Sequence, residues 1–177
     1  MSYNPKIHHR RSVRLKGYDY AKAGAYFVTI CTHDKECLFG YVENDEMVLN
    51  DKGKIAYNEW LRTPTLRPNV SLDVFEIMPN HMHGIIIINE SPINCPPEPD
   101  LLVEFKPTFK SPSKTIGSIV RGYKAAVTSQ INGPDVKDLI WQSNYHEHII
   151  RDEKSYQFIS NYIVNNARNW RQDKFYR

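Results

Sequence analysis

His81 and His83 stand one residue apart in MPNHMHGIIIINE (78–90), at the mouth of a solid aliphatic run. On a β-strand, residues i and i+2 share a face and lie roughly 6.6 Å apart along the backbone. Two imidazoles so placed can lean onto one divalent ion, with Met82 between them pointing to the opposite, apolar side. The spacing suits equally well two histidines that simply sit at a turn. His146-Glu147-His148 repeats it and serves as a control. Aiming both of those histidines at an open face would send the Glu147 carboxylate toward the core, at a cost. His146 and His148 are therefore expected at the surface, or in contact with substrate at most. Two imidazoles leave an ion under-coordinated, so a third ligand and a nucleophile are needed. In NYIVNN (161–166), Tyr162 and Asn166 are four residues apart and share a helix face. Asn166 can give its carbonyl oxygen to the ion, and Tyr162 its phenolic oxygen to a phosphorus atom. A tyrosine with an ordinary pKa of about 10 is a poor nucleophile at neutral pH and needs a nearby cation or base. An ion that stabilises charge on the phosphate oxygens would supply much of that activation. Tyr123 is the rival nucleophile, but the residue four positions on is Val127, which is no ligand.

Strands and helices have to bring these groups together. AYFVTICT (25–32) is β-branched and aromatic and reads as a strand. CLFGYVENDEMVLN (37–50) reads as a hairpin turning near Asn44-Asp45. Asp51 is placed to cap a helix over DKGKIAYNEWLRT, which Pro64 and Pro68 end. VSLDVFEIMP (70–79) alternates like a strand, and HGIIIIN (83–89) is apolar enough for a central one. The Pro79-Asn80 turn makes these two antiparallel neighbours. After a proline-rich loop over 90–113, Ile116, Ile119, Val120, Tyr123 and Val127 mark an amphipathic helix from Ser113 to Ile131. YHEHIIR (145–151) is a further strand. A last helix over 152–170 buries Tyr156, Ile159 and Ile163 and carries Tyr162 and Asn166 beside that stripe. Without the hairpin and the last helix the order is βαββαβ. That is the ferredoxin-like (RRM-like) α+β arrangement, an antiparallel sheet with helices on one face and the other face free to present side chains. Residues 1–177 are expected to form one domain, with a basic N-terminal arm over 1–17.

The net charge of +3 does not by itself argue for nucleic acid. Its distribution says more. Arg10, Arg11, Arg14 and Lys16 lie in an acid-free stretch, as do Lys114, Arg121 and Lys124. Both segments suit phosphate contacts. The longest aliphatic run, Ile85–Ile88, is too short to cross a bilayer, and the N-terminus lacks a signal peptide's apolar stretch. Cys31, Cys37 and Cys95 include no CxxC and cannot all pair, which suits free thiols in the cytoplasm.

MPNHMHG at the head of an aliphatic strand, with YIVNN on a terminal helix, resembles the single-tyrosine HUH transposases, where HUH denotes His-hydrophobic-His. The likeness is strongest to the REP-associated tyrosine transposases. RRSVRLKGYDY, GAYFVTICTH, IVRGYKAAVT and NYHEHIIRDEKSYQFISNYIVNN extend it over nearly the whole chain. The resemblance implies that His81, His83 and Asn166 hold Mg²⁺ or Mn²⁺. It also implies that Tyr162 attacks single-stranded or hairpin DNA, leaving a 5′-phosphotyrosine and a free 3′-hydroxyl. Ala167 stands where relatives often carry proline. The family includes monomers and homodimers that exchange the tyrosine helix, and both states are open here. The competing reading is a non-catalytic DNA- or RNA-binding module on the same fold.

Overall fold

The computed structural model describes residues 18–90, 115–134 and 136–177. The arm over 1–17 with Arg10, Arg11, Arg14 and Lys16, most of the proline-rich loop, Cys95 and Lys114 lie outside the described residues. In chain order the elements are β1 (Gly24–Cys31), β2 (Gly40–Glu43), β3 (Glu46–Leu49), α1 (Asp51–Leu61), α2 (Thr63–Leu66), β4 (Val70–Met78), β5 (His81–Ile88), α3 (Ile116–Asn132), β6 (His146–Ile150) and α4 (Glu153–Val164).

β1, β4, β5 and β6 form one antiparallel sheet in the order β4-β5-β1-β6. With α1 and α3 this is the ferredoxin-like βαββαβ arrangement expected from the sequence. β2 and β3 pair separately as a hairpin, with Asn44 (φ 51°) and Asp45 (φ 64°) in the left-handed region that its turn requires. α1 and α3 pack on the sheet face that carries Tyr26, Val28, Ile30, Met82, Ile86 and Ile88, all buried. The Trp60 ring lies so close over Gly84 that a Cβ there would come 2.7 Å from it, which fixes glycine at the middle of β5.

Four expectations need correction. The second sheet face is covered, because α4 lays Ile159 and Ile163 over Ile85, with Phe27, Val74, Ile87 and Ile150 packed around them. The cap of α1 is the Asn50 side chain, which accepts from the Gly53 N–H at 2.9 Å, and Asp51 is already helical. Pro64 does not end a helix but starts the single turn of α2, where a missing N–H costs nothing. The last helix stops at Val164 rather than Trp170. Asn165 ends it, and the chain then turns back so that Trp170 and Phe175 bury against Cys31 and Met78. A helix continued at 1.5 Å per residue would have carried Trp170 away from the sheet.

Candidate active site

The site grows from the register of three strands. Thr29, Glu76 and His146 are paired with or adjacent to His83, and Cys31 and Met78 pair with His81. Directly opposed residues share a face, so these rows all look toward α4 and the segment that follows it. Met82 points the other way, into the core. His81 and His83 are 0% and 1% exposed, and their Nε2 atoms converge to 3.1 Å.

Asn80 sets the chemistry of His81. Its Nδ2 donates to the carbonyls of Phe175 (2.8 Å) and Lys35 (3.2 Å), so its Oδ1 faces His81 Nδ1 at 2.9 Å. An oxygen acceptor there requires N–H on Nδ1 and leaves the Nε2 lone pair of neutral His81 aimed into the site. His83 Nδ1 meets the Thr29 hydroxyl at 2.9 Å, and a hydroxyl serves either tautomer. Without an ion, His83 Nε2–H can donate to His81. With its proton moved to Nδ1, His83 offers a second lone pair at the same point.

Tyr162 comes from α4 and places its Oη 3.2 Å from His83 Nε2 in the same chain. It donates to Asp173 Oδ2 at 3.0 Å, and that oxygen also accepts from Asn166 Nδ2 at 3.0 Å. Asp173 Oδ1 takes the Phe175 N–H at 2.7 Å. Asn166 is 1% exposed, and its Oδ1 is buried without a hydrogen bond of ordinary geometry. A buried carbonyl oxygen and two converging imidazoles are donor types that suit a divalent cation with mixed nitrogen and oxygen ligands. His81, His83 and Asp173 also bring one ligand atom each within 4.8 Å of one another. Burial raises the Tyr162 hydroxyl above its ordinary value, and Asp173 raises it further, so without a cation this phenol holds its proton more tightly than in water.

Four groups nominated from the sequence thus come together, although Asn166 reaches the site from a turn and not from the helix face of Tyr162. His146 and His148 are exposed, as expected, but their strand does not turn them away from the His83 face. His146 and His148 pair with Thr29 and Phe27, so they share the face of His83 while Glu147 points to the core side. Position in the sheet separates the two pairs: β5 is central and covered, whereas β6 is an edge that leaves its histidines exposed. The basic helix lies elsewhere, since α3 packs on the opposite sheet face. Arg121 is exposed there, and Lys124 donates its ammonium to the carbonyls of Gln142 and Asn144.

Asp173, Asn80, Thr29 and Glu76 were not foreseen. Glu76 had a readable signal, because a two-residue turn at Pro79-Asn80 pairs 78 with 81 and therefore 76 with 83. Asp173 had none.

Burial gives the site a pH signature. It holds His81 at about 4, against an ordinary 6.5, and it lowers His83 well below that value with help from its neighbour. From pH 6.5 down to about 4 the unfolded chain binds protons that the folded imidazoles refuse, so stability falls as pH falls. Glu76 opposes this, since burial raises its carboxyl from 4.5 to about 7 and the folded chain keeps a proton that the unfolded chain releases. In urea titrations of metal-free protein, Glu76→Gln is expected to lose stability more steeply than wild type between pH 6.5 and 4.5. An unchanged slope would show that Glu76 titrates normally.

No protein-family model matches the chain. A Haemophilus influenzae protein, described only as uncharacterized, is 50% identical over 178 residues, covering 98% of this chain and 97% of the relative. Among solved structures, a REP-associated tyrosine transposase bound to a REP hairpin superposes with a TM-score of 0.59 at 19% identity, over 89% of this chain and 74% of that one. A putative transposase from Deinococcus radiodurans reaches a TM-score of 0.44 at 16% identity, over 87% and 97% of the two chains.

Proposed function

The chain belongs to one family with the Haemophilus influenzae protein and has the fold of a REP-associated tyrosine transposase, and on that footing we propose that it nicks and rejoins single-stranded DNA through Tyr162. The observation that carries this reading is the meeting of the Tyr162 hydroxyl, two buried imidazoles and the Asp173 carboxylate, to which the Asn166 amide is also bonded. His81, His83 and Asn166 would hold a Mg²⁺ or Mn²⁺ ion. When bound, such an ion supplies charge stabilisation for the phosphate oxygens.

The chain's own groups do the rest. The Tyr162 oxygen attacks phosphorus while its proton passes to Asp173 Oδ2, to which it is already hydrogen-bonded. A bond forms between phosphorus and the tyrosine oxygen, and the bond from phosphorus to the 3′-oxygen breaks, the departing oxygen taking a proton from water. The DNA keeps a 5′-phosphotyrosine on one side and a 3′-hydroxyl on the other. Attack by a 3′-hydroxyl on the phosphotyrosine reverses the step and rejoins a strand. Asn80 and Thr29 hold the imidazoles in place throughout. One chain supplies every group, so the reading needs no exchange of α4 between subunits. The solved relative was bound to a REP hairpin, and a hairpin with an unpaired flank is the substrate proposed here.

The test is a covalent adduct. Wild-type protein, Mn²⁺ and labelled hairpin DNA with single-stranded flanks should give a band that survives denaturation and disappears with chelator. Binding without any adduct, across varied flanks and with either ion, would favour the non-catalytic module.

A further inference from the structure

A cleft of about 590 Å³ lies between the β2–β3 hairpin and the segment after α4. That is within the roughly 300–1,000 Å³ range of small-ligand sites. Arg168, Arg171 and Arg177 line it, against a single acid, Asp45. None of the three guanidinium groups forms an ion pair among the described residues. The aromatic lining is Tyr41, Tyr176 and Trp170; the two tyrosines are 56% and 50% exposed. Tyr176 leans on Trp170 at 5.4 Å but, like Tyr41, keeps about half of its surface in water beside these guanidinium groups. These rings and charges match the two needs of an unpaired strand, a stacking surface for bases and positive charge for phosphates.

The cleft adjoins the candidate active site without being part of it. Trp170 is the shared wall, with its ring 5.9 Å from His81 on one side and 5.4 Å from Tyr176 on the other. Pro79, next to the Asn80 that fixes His81, lines the cleft as well. A strand whose phosphate reaches Tyr162 can therefore lay a nearby nucleotide into it.

We propose that this cleft binds the unpaired DNA strand beside the cleavage point, with bases on Tyr41 and Tyr176 and phosphates on Arg168 and Arg171. As to the identity of the strand, this rests on the nicking function proposed above. The sequence gives no hint of it, because Tyr41 and Arg171 are 130 residues apart and only the fold brings them together.

The experiment involves no cleavage. Full-length protein in chelator is titrated into fluorescein-labelled oligothymidylate ten nucleotides long, and anisotropy is read at several salt concentrations. Tyr41→Ala with Tyr176→Ala is expected to weaken binding about tenfold or more. Arg168→Ala with Arg171→Ala should reduce the salt dependence by about one to two phosphate contacts. Tyr57→Ala, an exposed ring that packs instead on Phe75 (5.1 Å), should bind like wild type. Because Tyr176 rests on Trp170, Tyr41→Ala alone provides a variant with no such contact, and it should also weaken binding. Wild type that fails to bind the probe, variants that bind as wild type does, or tighter binding of oligouridylate would each overturn the proposal. A failed adduct assay with intact oligothymidylate binding counts against nicking alone. A working adduct assay with unaffected cleft variants counts against the cleft alone.

Discussion

Tyr162→Phe should abolish the covalent protein–DNA adduct, lowering its rate of formation by at least about a thousandfold, while hairpin binding and Mn²⁺ binding survive. The change removes one oxygen. Its two hydrogen bonds, to Asp173 Oδ2 and His83 Nε2, go with it. Asp173 keeps the Asn166 Nδ2 donor and the Phe175 N–H, so no buried charge is left unpaired. Stability should shift by no more than about 1 kcal/mol. Among the described residues no other tyrosine is placed to substitute. Tyr26 and Tyr123 are buried on the opposite sheet face, where Tyr123 donates to the Ala56 carbonyl. Tyr156 lies on α4 nearly two turns before Tyr162. An adduct of wild-type yield from Tyr162→Phe would remove Tyr162 as nucleophile, and the proposed mechanism with it. The gel should be read beside a thermal melt, so that lost chemistry is not confused with lost fold.

Replacing either imidazole is the second large effect. His81→Ala or His83→Ala leaves one nitrogen, the Asn166 carbonyl and the nearby Asp173 carboxylate, a poorer donor set that should hold a divalent ion far more weakly. Mn²⁺ at a hundred times its dissociation constant should stabilise wild type by about 2.7 kcal/mol, seen as a rise in melting temperature. Neither variant should show that rise, and both should lose the adduct. Each is also expected to escape part of the acid destabilisation described above, because a buried imidazole that resists protonation is gone. That supplies a readout independent of DNA. A variant that keeps the full Mn²⁺ response would show that the ion binds elsewhere.

The legible part of this protein was local. β-branched and aromatic runs gave the strands of the sheet, and the Pro79-Asn80 turn made β4 and β5 neighbours. Period two put Met82 in the core and both histidines on the other face. His146 and His148 lie at the surface as expected, but because β6 is an edge strand, which alternation alone does not reveal. The end of α4 was misjudged for a related reason. Helical spacing over 152–170 is satisfied by Tyr156, Ile159 and Ile163, while the gain from burying Trp170 and Phe175 against Cys31 and Met78 involves residues more than 80 positions away.

By itself the sequence determined the residue types that can do the chemistry, His81, His83, Tyr162 and Asn166, and the order of elements that limits the fold to a ferredoxin-like sheet. These follow from short-range physics, since side-chain chemistry and backbone periodicity are properties of a residue and its near neighbours. The tertiary structure alone decided that the histidine face is covered, that Asp173 meets Tyr162, that Asn80 orients His81 while tying down Lys35 and Phe175, and that Tyr41 faces Arg168 and Arg171 across a cleft. Each of these depends on how α4 and the chain after it fold back over the sheet. That path is set by where two large aromatic side chains can escape water, which no local pattern records.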